Sequence, residues 1–489
     1  MANDTALMRM VIRQITKRYG WTNEVAMERF YNSEICNKLS DRRTGLFTCA
    51  PIEIVDLFAE ECRILKAKLP FEISDLTPLV SLAPVPELPD VLTKLDGTKV
   101  TTAAEWEERD EEIRRILQYY MYGVWRGGEG EILDYTVSGN NIGITVKREG
   151  LEGAAEFTSS VSLPQGNAPA GGWPVIVGIG GVGQTAYANS RGYAAVSFTP
   201  TVIAADNFSR TGEFYNIYPY GSTWEQQTGS LMAWAWGAGK ILDALEAGAG
   251  SELKISTEIT MVTGVSRYGK AAAVAGAFEE RFLVTMPVCS GYGGLTIGRY
   301  TSNNKTYNLG TDFLASPKAN SVGNHSAWLS FGGTEPIGSL HGNGGWFNTN
   351  FQSIPSYEHC PYDQHFLAAL AASKGRYLYM VTGINSDMWN SPPGMQYCHD
   401  SVLPVFELLG TRDNLAINMH INLHGIEIED LIKLFAWFEY KHFGKEPDTS
   451  SYPADLQAFL ANFTPGDLKT TVFKSEANRE VYNEGKPAN

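Results

Sequence analysis

The sequence predicts an α/β fold, a mostly parallel central sheet with helices on both faces, preceded by a small helical region. Two observations carry that expectation. From about residue 173 short apolar runs alternate with long helical segments, which is the grammar of a parallel sheet covered by its own crossovers. The chain's 489 residues, 43% of them hydrophobic, also suffice for one large core and an appended smaller unit.

Taken in order, residues 1–84 are helical by spacing. "TALMRMVIRQITKRYG" and "IEIVDLFAEECRILKAKL" repeat apolar residues at three and four. They are expected to form a separate interaction module or a packed extension, with a surface for a protein partner. Prolines then cluster in "LAPVPELPDVL", a linker signal, so residues 85–489 are expected to form the main domain. "TTAAEWEERDEEIRRILQYYMYGVW" opens with threonine and an acidic first turn, as a helix start does. "EILDYTVSGNNIGITVKREG" and "AAEFTSSVSLP" alternate like antiparallel strands.

The alternating region follows. Strands are expected at "WPVIVGIGG", "YAAVSFTP", "ITMVTGVS", "FLVTMPVCS", "GRYLYMVTG" and "LAINMHINLH", the last reaching His424. Helices are expected at "WEQQTGSLMAWAWGAGKILDALEA", after Ser266, and at "IEDLIKLFAWFEYKHF".

Bulk properties narrow the function. A formal charge of −15 with no Lys/Arg block argues against nucleic acid as the partner. The six cysteines (Cys36, Cys49, Cys62, Cys289, Cys360 and Cys398) form no C-x-x-C pair, so neither a zinc site nor a disulfide framework is indicated. No metal and no cofactor is expected. The first twenty residues lack a signal-like apolar run, and no later segment reaches membrane-spanning length. The chain is therefore expected to be cytoplasmic, or secreted if a leader has been removed, with no membrane partner.

In open α/β sheets the reactive groups lie at the carboxyl ends of strands. Three such ends carry a chemical set: Ser266 after "ITMVTGV", Asp387 in "INSDMWNSPP", and His424 in "INLHG". The chain order Ser, Asp, His is that of the α/β-hydrolases. His424 would take the Ser266 proton and Asp387 would hold the imidazole in the right tautomer. A helix-capping serine, an Asx-turn aspartate and a structural histidine are the separate alternatives; order and shared placement favour the set. His359, His365 and His399 are the competing bases, with His365 at the head of an apolar helix and His399 inside one.

One irregularity remains. The hydrolase elbow places glycine two residues after the serine, whereas here Tyr268 stands there and Gly269 follows. With its elbow Gly264-Val265-Ser266-Arg267-Tyr268-Gly269-Lys270-Ala271, the sequence resembles the glucuronoyl esterases, carbohydrate esterase family 15, whose elbow G-C-S-R-N-G-K-G shares the late glycine. Supporting likeness runs from "LPDVLTKLDGTKVTTAAEWEERDEEI" through "AVAGAFEERFLVTMP", "GWFNTNF" and "PYDQHFLAALAA" to "HGIEIEDLIKLFAWFEYKHFG", about three quarters of the chain.

That resemblance implies an α/β-hydrolase three-layer sandwich and a metal-independent serine esterase. It would act on esters of 4-O-methyl-glucuronic acid in glucuronoxylan or lignin-carbohydrate linkages. It implies that Arg267 stabilises the oxyanion, that Lys270 contacts sugar hydroxyls, and that Trp346 offers an apolar edge to the sugar. Cys289 stands where many members carry a catalytic glutamate, and some bacterial members place the acid at the position of Asp387. A general carbohydrate acyl or acetyl esterase, and a degenerate carbohydrate-binding protein, are the alternatives.

Overall fold

The computed structural model describes residues 73–128, 130–301, 334–383, 390–420 and 424–446, much of 2–58, and the short stretches 306–308, 328–330 and 476–487. Helix α1 (Ala2–Tyr19) contributes Val11 and Ile15 to a small core of its own, with Phe30, Ile54, Val55 and Phe58. Leu76 instead belongs to the large core, and Asp75 pairs with Arg115.

Helix α2 (Ala103–Leu117) starts as its sequence specifies. The Thr102 side chain accepts from the Glu105 N–H, and Glu105 reaches back to the Thr102 N–H, a capping box that satisfies two otherwise orphaned donors. Its inner face buries Trp106, Ile113, Ile116 and Leu117.

The central sheet has nine strands: β1 (Glu131–Ser138), β2 (Asn141–Arg148), β3 (Ala154–Ser162), β4 (Trp173–Ile179), β5 (Ala194–Phe198), β6 (Ile255–Val265), β7 (Val284–Val288), β8 (Tyr377–Gly383) and β9 (Leu415–His420). Their order is β1-β2-β3-β5-β4-β6-β7-β8-β9. The first three form an antiparallel meander against β5, and the six from β5 to β9 across the sheet are parallel. Side chains alternate between two cores as a period of two requires. Val175, Val177 and Val262 face one core; Ile176, Ala195 and Met261 face the other. Helices α3 (Ser230–Ala244) and α4 (Arg267–Phe278) cover the first face. The second is covered by α6 (Ile428–Phe443), which follows α5 (Pro392–Leu408) and β9. This is the expected α/β architecture.

Two boundaries differ from expectation. Helix α3 begins at Ser230, and Trp224–Gln226 forms a separate 3-10 turn. The Gly229 N–H bonds to the Tyr122 carbonyl and the Ser230 N–H to the Gly345 carbonyl, which hold this segment extended before the helix can start. Strand β9 is described as far as His420, which pairs with Gly383 of β8, and residues 421–423 lie outside the described residues. His424, the expected last residue of that strand, stands in a bend.

Among the described residues no helix is long and apolar enough to cross a membrane, and no group of three or more His, Cys, Asp and Glu side chains is disposed to hold a metal ion.

Candidate active site

The strand order reverses at β4, whose chain leads to β5 on one side while β6 lies on the other. A crevice opens at such a switch point, and Ser266 stands at the carboxyl end of β6, between that strand and α4. Its backbone has φ 61° and ψ −126°, a conformation that a residue with a side chain adopts only under constraint. The constraint is visible: the Ser266 N–H donates to the Val288 carbonyl at 2.9 Å, and its own carbonyl accepts from the Lys270 N–H at 2.9 Å.

The late glycine has a steric cause. A Cβ on Gly269 would collide with the Val288 carbonyl, and one on Gly264 with the Tyr268 carbonyl. The first turn of α4 thus lies flat against the ends of β6 and β7, and the two glycines stand where backbone meets backbone. Position 268 needs no glycine, because the Tyr268 ring packs beside Gly180 and edge-on to Trp234 at 5.2 Å.

Arg267 follows the serine at the first position of α4, where a backbone N–H has no acceptor within its own helix. Its guanidinium is half exposed and pairs with Asp206, which also accepts from Trp346 Nε1 at 2.7 Å. The Arg267 guanidinium carbon lies 5.7 Å from the centre of the Trp346 ring, and Lys270 Nζ lies at the same distance from it.

Lys270 and Trp346 are both held by partners within the protein. Lys270 is buried and directs Nζ to the Ser290 carbonyl at 2.9 Å, the Tyr292 carbonyl at 2.7 Å and Glu335 Oε2 at 2.6 Å. An ammonium has three donors, so a sugar hydroxyl would have to replace one of these partners. Burial pulls the Lys270 pKa down, and the Glu335 carboxylate opposes that shift. Trp346 is 7% exposed and anchors its loop to Asp206 rather than standing open.

His424 is exposed in the loop after β9. That loop is tied to the crevice by Gln184 Nε2, which donates to the Ile426 carbonyl at 2.9 Å from the segment following β4. Its ring Nδ1 lies 3.5 Å from Asn390 Nδ2. Asn390 is wholly buried, with its backbone carbonyl accepting from Thr296 Oγ1 and the Ser391 side chain next to it capping α5. Asp387 lies outside the described residues.

The three competing histidines have partners of their own. His359 Nδ1 pairs with Ser356 Oγ at 2.8 Å, and His399 Nδ1 with Asp400 at 3.0 Å. His365 is buried, as its place at a helix head suggested, with Nε2 donating to the Pro89 carbonyl at 2.9 Å. A further histidine, His420, was not singled out. It forms a buried pair with Asp430, Nδ1 to Oδ1 at 3.0 Å, and Asn418 donates to the same oxygen. Asp430 also caps the start of α6, so this pair locks that helix to β9.

Cys289 is fully buried at the end of β7 with φ 50°, and its N–H donates to the Val381 carbonyl on β8 at 2.8 Å. Three groups near the site were not foreseen: Asp206, Glu335 and Asn390. Only Asn390 had a neighbouring signal, the Ser-Pro-Pro that starts α5.

The family described as "Glucuronyl esterase, fungi" matches residues 144–410. A multidomain esterase of Ruminococcus flavefaciens is 39% identical over 404 residues, covering 81% of this chain and 49% of that protein. The chain thus spans about half the length of that relative. A 4-O-methyl-glucuronoyl methylesterase of Schizophyllum commune is 30% identical over 397 residues, 79% of this chain and 85% of its own length. Among solved structures, a carbohydrate esterase family 15 glucuronoyl esterase from Caldicellulosiruptor kristjansonii superposes with a TM-score of 0.65 at 36% identity, over 78% of this chain and 97% of that one. The elbow with its displaced glycine and the sheet that carries it have the same meaning: this chain belongs to the glucuronoyl esterase family, carbohydrate esterase family 15.

Proposed function

We propose that this chain is a serine esterase acting on esters of 4-O-methyl-glucuronic acid, carried by uronic-acid-containing plant polysaccharides or oligosaccharides. The observation that carries the reading is the elbow: Ser266 held at φ 61°, beside a cation, at the switch point of the sheet. A strained serine followed by arginine has no structural need that a capping serine would not meet at lower cost.

In this reading Ser266 Oγ attacks the ester carbonyl carbon while His424 Nε2 takes its proton. The carbonyl oxygen becomes an oxyanion facing the Arg267 N–H and guanidinium, groups already in place before charge develops. The tetrahedral intermediate collapses, His424 gives the proton to the departing alkoxide, and an acyl-enzyme remains. Water, deprotonated by the same imidazole, then frees the uronic acid. Asp387 is the acid assigned to hold the imidazole. Lys270, with its donors spent inside the protein, supports the floor of the site and adds positive potential beneath it.

The test is hydrolysis of benzyl D-glucuronate by the wild type and by Ser266→Ala. Wild-type turnover that Ser266→Ala loses by at least a thousandfold, with an unchanged melting curve, is the expected result. Equal turnover by the two proteins overturns the assignment. Preference for p-nitrophenyl acetate over methyl glucuronate would replace the uronate ester with a simpler acyl ester as substrate.

A further inference from the structure

Asp430 has no exposed surface, and its carboxylate holds both flanks of the segment that carries His424. From the strand side, Asn418 Nδ2 donates to Oδ1 at 2.7 Å, and His420 Nδ1 lies 3.0 Å from each carboxylate oxygen. From the helix side, the Glu427 N–H donates to Oδ2 at 2.8 Å. An ionised carboxylate only accepts, which puts the His420 proton on Nδ1. Residue 424 lies between these two flanks.

The docking of α6 does not depend on this group. Leu431, Leu434, Phe435, Trp437 and Phe438 already bury the helix in the second core. A buried charge is costly unless it is well bonded, and what this one adds is direction. Asn418 and His420 project from one face of β9, two residues apart. Lys433, one turn along α6 from Asp430, donates to Asn418 Oδ1 at 2.9 Å. The end of β9 is thus set against the first turn of α6 in a single register. Gln184, in the segment after β4, fastens the Ile426 carbonyl as well.

We infer that Asp430 is a positioning residue for His424: by gathering residues 418, 420 and 427 on one carboxylate it fixes the bend in which His424 stands, so that the imidazole is aligned on Ser266 before substrate arrives. The inference rests on His424 being the base of the proposed esterase, and it leaves the role of Asp387 as it is. Asparagine offers one acceptor oxygen in place of two. Asp430→Asn therefore keeps the shape but turns an NH2 group towards either the strand donors or the Glu427 N–H, and one flank of the segment is released.

The experiment compares wild type, Asp430→Asn, His420→Leu and His420→Asn on benzyl D-glucuronate, well below each melting transition. NMR of ¹⁵N-histidine-labelled protein accompanies it, with His424 assigned from a His424→Gln sample. Asp430→Asn should lower kcat about ten- to a hundredfold with KM within about twofold, because placement rather than binding is lost. His420→Leu should lower kcat at least about threefold. His420→Asn carries an N–H at the branch position of Nδ1 and should restore most of that loss. Both His420 variants lose whatever else the ring touches, so the difference between them isolates the bond to Asp430. The His424 ring signals should shift or broaden in Asp430→Asn and His420→Leu. A purely architectural Asp430 predicts a lower melting temperature with unchanged kcat in the folded protein. That result overturns the inference, as do unmoved His424 signals. Should Asp430→Asn fail to fold, equal kcat in the two His420 variants overturns it. The NMR comparison needs no turnover, so a wild type inactive on uronate esters would sink the proposed function and still report whether Asp430 places the His424 ring.

Discussion

Asp206 accepts a hydrogen bond from Trp346 Nε1 at 2.7 Å and pairs with the Arg267 guanidinium, so one carboxylate orients both the indole and the cation that flank the elbow. Arg267 is half exposed, and such pairs contribute less than about 1 kcal/mol to stability. Its value lies in direction. Asp206→Asn should therefore leave the melting temperature nearly unchanged and, on the proposed function, lower kcat/KM about tenfold, because Arg267 loses its alignment beside Ser266. Steady-state kinetics with a parallel thermal melt checks both halves.

Gly269→Ala drives a methyl group into the Val288 carbonyl, the same carbonyl that accepts from the Ser266 N–H. Overpacking of this kind costs about 1–3 kcal/mol, and here the relaxation must pass through Ser266, the proposed nucleophile. The expected outcome is a lower urea midpoint and a kcat reduced more than tenfold. Gly338→Ala, whose added methyl group meets nothing within 4 Å, is the control and should change neither.

His365 gives the protein an acid-sensitive point away from the site. Burial pulls its pKa from the ordinary 6.5 to about 4, outweighing the nearby Asp363. Between those values the unfolded chain takes up a proton that the folded chain refuses. Stability therefore falls as pH drops from 6.5 towards 4, by up to about 3 kcal/mol. Urea midpoints measured across that range should show the slope. His365→Gln, which can still donate to the Pro89 carbonyl, should flatten it.

Much of this was legible in the sequence because it depends on periodicity and on backbone-level rules. Strand β4 through strand β9 announced themselves as apolar runs, the start of α2 by its capping residues, and the elbow by its glycines. What was not legible depends on distant partners. Nothing in "TVIAADNFSR" marks Asp206 as the partner of Arg267 and Trp346, sixty and more residues away. Nor does the elbow foretell that Lys270 turns inward, since that is decided by Glu335 and by two carbonyls after β7. The apolar pattern of "LAINMHINLH" likewise does not foretell that His424 stands in a bend.

The Ser266 N–H bonds to Val288, and the Cys289 N–H bonds to Val381. Peptide groups therefore stitch together three consecutive strand tips without help from any side chain. Because these bonds are made by the main chain, a change of side chain at residue 289 leaves the ladder that holds Ser266 in place.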